Sequence, residues 1–205
     1  MLLSHLCQWR KLSARLILVF APLVMLSGCV TSINSLYVGA KDQELIADQN
    51  LVGTWTVTDD KCTITFTVTL KDFQYALHST ESGGECSDRG EVSNLQARLL
   101  KLDAYRFLDI SPLDKDVCDM CIPKHQILLV KIDGDTLAVT PIDSDWLKAA
   151  LAAKTVALST LPDDTDTVTA SSTNLKEFCR RFAADKTVFK PESTWVLKRA
   201  QVGAS

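Results

Sequence analysis

Residues 53–70 read GTWTVTDDKCTITFTVTL, and the reading of this stretch decides the fold. Trp55 and Val57 alternate with threonines, and from Cys62 the alternation resumes as Ile64, Phe66, Val68 and Leu70 against Thr63, Thr65, Thr67 and Thr69. A period of two places successive side chains on opposite faces of an extended chain, so two half-buried strands are predicted here. Lys71-Asp72 reads as a tight turn into Phe73, Tyr75 and Leu77, which makes the first three strands a meander, and Ser82-Gly83-Gly84 breaks the pattern.

Further strands are expected at 94–102 and 105–110, where apolar residues stand on both faces. Residues 126–132 and 136–141 flank Asp133-Gly134-Asp135, a hairpin turn whose glycine supplies a positive φ. Asp143 can cap a helix beginning at Ser144, with Trp146, Leu147, Ala150 and Leu151 at helical spacing. A short strand is expected at 155–159, a solvated acidic loop at 162–167 and another strand at 167–170. A second helix over 174–184 would open with Asn174 and Glu177 and carry Leu175, Phe178, Cys179 and Phe182 on one stripe. Trp195 and Leu197 then mark a closing strand at 194–198. The fold expected is mainly β: an antiparallel meander of about eight strands with two added helices, forming a barrel or half-barrel.

The N-terminus carries a different signal. Arg10, Lys11 and Arg15 are the only charges before an apolar run of 11 residues, Leu16 to Leu26, which Ser27, Gly28 and Cys29 follow. This is the charged, apolar, small-residue order of a secretory signal, and the run is too short for a helix that must cross a hydrocarbon core with about 20 residues. Leu26-Ser27-Gly28-Cys29 is similar to the bacterial lipobox. That resemblance implies a bacterial lipoprotein: residues 1–28 are a removed signal peptide, and Cys29 takes diacylglycerol on its sulfur and becomes the mature N-terminus. It implies localisation in the cell envelope, lipid-anchored (palmitate-type acylation), with the outer membrane facing the periplasm favoured because Val30 follows the cysteine. Residues 29–50 are expected to be the lipidated N-terminus and tether, and residues 51–200 a single globular domain.

Removing 28 residues leaves 177 of the 205, and removing their three basic side chains leaves 19 Lys and Arg against 25 Asp and Glu, a net charge near −6. That balance argues against nucleic acid and against a polybasic membrane patch. Five cysteines remain beside Cys29. Cys62 and Cys86 suit a disulfide, because a hairpin centred on Lys71-Asp72 places Cys62 opposite about Glu81 and the glycine-containing loop can return Cys86 toward it. Cys118 and Cys121, two residues apart in a loop between Pro112 and Pro123, read as a local disulfide. The alternative, zinc with His125 and a further ligand such as Cys62, Cys86 or His78, lacks a complete ligand set in sequence, so no metal or cofactor is expected. Cys179, on an apolar stripe, is expected to be reduced and inert. The acidic pairs Asp143 with Asp145 and Asp163, Asp164 with Asp166 read as a helix start and a solvated loop. No serine sits in a Gly-x-Ser-x-Gly elbow and only two histidines remain, so no enzyme is expected.

Gly53-Thr54-Trp55, followed by a β-meander and a late helix, resembles the lipocalin pattern, which includes bacterial lipoproteins. The resemblance implies that Trp55 is structural, closing the barrel base near an arginine such as Arg199, and two helices within the second half depart from the family's single late helix. The function expected is a membrane-anchored module binding a small lipophilic ligand. The alternative is a protein-interaction module, an envelope assembly factor or inhibitor, meeting its partner through surface loops such as 112–125.

Overall fold

The computed structural model describes residues 30–59, 62–83, 93–113 and 122–200. In chain order the elements are β1 (Thr31–Ser32), β2 (Leu45–Ile46), a 3-10 turn (Gln49–Leu51), β3 (Gly53–Asp59), β4 (Cys62–Lys71), β5 (Gln74–Ser82), β6 (Ser93–Leu102), β7 (Tyr105–Pro112), β8 (Gln126–Asp133), β9 (Thr136–Pro141), α1 (Ser144–Ala152), β10 (Thr160–Leu161), β11 (Asp164–Val168), α2 (Ser172–Phe182), a second 3-10 turn (Pro191–Ser193) and β12 (Trp195–Arg199). Strands β3 to β9 pair in order, β12 pairs antiparallel with both β9 and β3, and β6 also pairs with β7. Eight antiparallel strands thus close into a lipocalin-like, up-and-down barrel with no open edge.

The threonine alternation sets the inside and outside of the first wall. Trp55, Ile64, Phe66 and Val68 are buried in the barrel core with Tyr75 and Leu77, and their threonine neighbours face outward. The β4–β5 turn lies one residue beyond its expected place. Lys71 pairs with Gln74, Asp72 and Phe73 both take positive φ (50° and 62°), and Phe73 is exposed instead of lining the strand. Positive φ at both central residues is what the right-handed strand twist demands of a two-residue hairpin loop.

On β6, β7 and β8 the apolar residues divide between two cores. Leu95, Leu99, Leu108, Ile110, Leu128 and Val130 point into the barrel, whereas Leu100, Leu102, Phe107 and Ile127 point outward into a second core. There they meet Leu147 and Ala150 of α1 and Leu175, Phe178 and Cys179 of α2. Asp143 caps α1 as expected, its carboxylate accepting from the Trp146 N–H at 2.7 Å. α2 begins earlier than expected because Ser171, not Asn174, is the cap, accepting from the Asn174 N–H.

Residues 30–50 are not a free tether. Val30, Leu36 and Leu45 are buried in the second core, β2 pairs antiparallel with β6, and β1 lies parallel to β11. Lys176 on α2 clamps the segment with contacts of 2.5 Å to Asp42 and 2.6 Å to Glu44. The globular unit therefore begins by Val30, not near Leu51. Pattern reading misses this because β1 and β2 are only two residues long, too short to show a period.

Residues 155–159 form no strand; Val156 and Leu158 are instead buried there, and β10 follows at Thr160–Leu161. The acidic run is only partly solvated: Asp163 is exposed, but Asp164 accepts from the Thr167 hydroxyl at 2.5 Å, and Asp166 bonds the Ser144 hydroxyl and lies 2.9 Å from Lys148. Strand β11 accordingly starts at Asp164, earlier than the expected 167.

Candidate functional site

The barrel base is built around Gly53-Thr54-Trp55. Trp55 is fully buried and its indole N–H donates to the Leu51 carbonyl at 2.9 Å, holding the 3-10 turn under the barrel. The guanidinium of Arg199 lies 4.1 Å from the Trp55 ring centroid and donates to the carbonyls of Val52 (2.8 Å) and Asn50 (2.7 Å). Gly53 makes that approach feasible: its φ is +128°, and a Cβ there would sit 2.6 Å from Arg199 Nη1. Beside this lock the Tyr75 hydroxyl accepts from the Asp48 N–H at 2.7 Å, and Arg106 pairs with the Asp48 carboxylate at 2.7 Å. Burial pushes the Tyr75 phenol above its ordinary value, so it stays neutral.

Above the base the barrel encloses a cavity of about 60 Å³. Its walls include Phe66, Val68, Leu77, Leu108, Leu128 and Val139, and every residue that lines it is aliphatic or aromatic. Burial of apolar surface is worth about 25 cal/mol per Å², so such a wall favours carbon and disfavours any group needing water. Two buried polar residues, Ser79 and Gln126, also occupy inward positions of the barrel strands, as their registers with the core residues Phe66 and Ile110 show.

Outside the barrel, β7 presents a carboxylate to the second core. Asp109 is buried and accepts from the Leu36 N–H at 2.6 Å through one oxygen and contacts His125 Nδ1 at 2.6 Å through the other. His125 in turn exchanges two backbone hydrogen bonds with Ser32, at 2.7 and 2.8 Å. The pair thus fastens residues 30–36 to the barrel wall. Cys179 is a free, fully buried thiol, raised far above its ordinary value first by burial and then by the Asp109 charge, which leaves it protonated and unreactive.

Of the sites expected from sequence, Cys62 is disulfide-bonded. Cys29, Cys86, Cys118 and Cys121 lie outside the described residues. His78 is exposed and pairs with Asn94 at 3.1 Å, while His125 belongs to the outer clasp, so the two histidines do not converge. Among the described residues, no group of three or more His, Cys, Asp or Glu could hold a metal ion, and no helix is long and apolar enough to cross a membrane. Gln126 and Asp109 were missed by the sequence reading. Their only signal is a single polar residue beside or within an apolar strand.

Together these features define a class: an eight-stranded, lipocalin-like barrel with an apolar interior, closed at one end by an arginine–tryptophan lock and buttressed outside by two helices. Comparison with protein-family models, curated proteins and solved structures finds no match for this chain.

Proposed function

We propose that the protein is a lipid-anchored carrier of small lipophilic molecules in the bacterial cell envelope, with the barrel interior as its binding site. The observation that carries this reading is the closed barrel holding a cavity with an entirely apolar lining. A volume of about 60 Å³ is below the roughly 150 Å³ of an apolar cavity known to admit benzene. The fitting ligand is therefore slender, a short alkyl or unsaturated chain, and rotamer changes at residues such as Leu77 or Leu128 admit a longer one.

The anchor rests on the lipobox-like Leu26-Ser27-Gly28-Cys29 after an apolar run. Two or three acyl chains at about 0.8 kcal/mol per buried methylene hold a protein firmly, where a single chain is marginal. Because Val30 is buried and Ser32 is bonded to His125, an anchor at Cys29 leaves almost no linker, and the barrel would ride directly on the bilayer surface.

Native mass spectrometry of the full chain after gentle extraction tests carriage: a co-purifying lipophile is expected, and its repeated absence from several preparations would count against the reading. Replacing Cys29 by serine tests the anchor separately, through loss of acyl labelling and of membrane retention.

A further inference from the structure

Among the described residues, one polar atom stands inside the barrel without a partner. Gln126 is 4% exposed, and its Oε1 has no hydrogen-bond partner among the described residues. Its neighbour Ile127 faces the outer core and Leu128 the inner one, so the alternation of β8 turns Gln126 inward. It is also the cross-strand partner of Ile110, and both Ile110 and Leu128 line the cavity. The amide therefore sits one step beyond the lining on β8, at the end where that strand begins and away from the Trp55–Arg199 lock.

A buried amide oxygen left unpaired is destabilising, whereas leucine or methionine would fill the same space without that cost. Retaining glutamine among Ile110, Leu128 and the rest of an apolar wall is accounted for by a bound group that donates to it. We propose that Gln126 is the polar recognition point of the cavity, accepting a hydrogen bond from the single donor group of an otherwise apolar ligand. The ligand class is an alkyl chain ending in a hydroxyl or a protonated carboxyl. The chain lies along Leu128, Ile110 and Leu108, and the donor points toward the start of β8. A hydroxyl suits the amide in either orientation, because it accepts as well as donates.

This inference rests on the carriage reading, and one titration separates the two. The full chain and its Gln126→Leu variant are titrated with 1-hexanol and with hexane, followed by the methyl resonances of the lining leucines. Comparing two probes of equal chain length cancels the apolar contribution, and comparing the two proteins cancels the desolvation of the hydroxyl. A net hydrogen bond of ordinary strength shifts the hexanol-to-hexane preference by roughly three- to tenfold, toward hexane in the variant. Gln126→Met, which keeps the length of the side chain, is expected to give the same shift, and both variants should melt no lower than the parent because they lose an unpartnered amide. An unchanged preference in both variants overturns the role of Gln126 while leaving carriage standing. Failure of either probe to bind any of the proteins overturns carriage and this inference with it.

Discussion

Replacing Arg199 by alanine removes three kinds of contact at the barrel base, and their sizes can be worked out separately. The contact with the Trp55 ring, at 4.1 Å, is worth about 1 kcal/mol at a partly exposed site. The hydrogen bonds to the Val52 and Asn50 carbonyls are charge-assisted and would nominally bring about 1.5–3 kcal/mol each. Since 28% of the side chain is exposed and the freed carbonyls at the rim regain water, about half of that survives. The ion pair to Asp135, a residue 82% exposed, adds close to nothing. The sum is a loss of about 3 kcal/mol, or roughly 6–12 °C in melting temperature for a domain of this size. Urea unfolding followed by tryptophan fluorescence measures it. Arg199→Lys keeps the charge near the ring but cannot reach both carbonyls, so about half the loss is expected; Asp135→Ala should change stability by less than about 0.5 kcal/mol. A loss under about 1 kcal/mol for Arg199→Ala, or equal losses for Arg199→Ala and Asp135→Ala, would show that the guanidinium does not hold the barrel base.

Three further outcomes follow from the same geometry. Gly53→Ala forces a Cβ to 2.6 Å from Arg199 Nη1 at a φ of +128° and should cost about 2 kcal/mol or more, while the same change at Gly134, with open space around it, should cost less by the same unfolding assay. Phe73→Gly relieves an exposed residue held at a φ of 62°, where a non-glycine side chain costs about 1–2 kcal/mol; the freedom glycine adds to the unfolded chain takes back about 0.4–1 kcal/mol, so a rise of about 2–4 °C in melting temperature is expected, and a fall would show that the ring is held by contacts. Burial works to raise the Asp42 carboxyl, but the Lys176 hydrogen bond, the Val38 N–H and the nearby positive charges outweigh it and hold the group below its ordinary value. Its contribution is therefore complete at neutral pH and is lost as the pH falls below about 4, through the depressed folded value. Asp164, held low first by the Thr167 hydroxyl, behaves in the same direction. Melting curves from pH 6 to 3 should accordingly fall less steeply for Asp42→Asn than for the parent, and parallel curves would contradict the clamp.

The barrel was legible where one face of a strand meets the core and the other meets water. Threonines mark the outside of β3 and β4 so regularly that the buried face of each strand is legible in the sequence, while the register that sets Trp55 opposite Phe66 is seen only in the structure. On β6 to β8 this contrast vanishes, because Leu100, Phe107 and Ile127 meet the helices while Leu99, Leu108 and Leu128 meet the barrel interior. Periodicity cannot separate two buried faces. The docked segment 30–46 was hidden for another reason: its stability comes from residues distant in sequence, such as Lys176, Asp109 and His125. The cavity was half visible, since an alternating apolar face predicts a lined interior without saying how far side chains fill it. Gln126 is marked only as a lone polar residue beside an apolar strand, because a glutamine before Ile127 reads as an ordinary strand end until the register places it inside.

If ligand enters the barrel interior, a substitution that fills the interior must exclude it. Val139 lines the cavity and stands on β9 opposite Val130 and Trp195. Phenylalanine at this position projects a ring into the 60 Å³ space, so the usual overpacking cost of about 1–3 kcal/mol should be largely avoided. Titrated with 1-hexanol, the folded Val139→Phe protein is predicted to bind at least tenfold more weakly than the parent. Undiminished binding by a folded Val139→Phe protein would contradict the claim and move the ligand site out of the barrel.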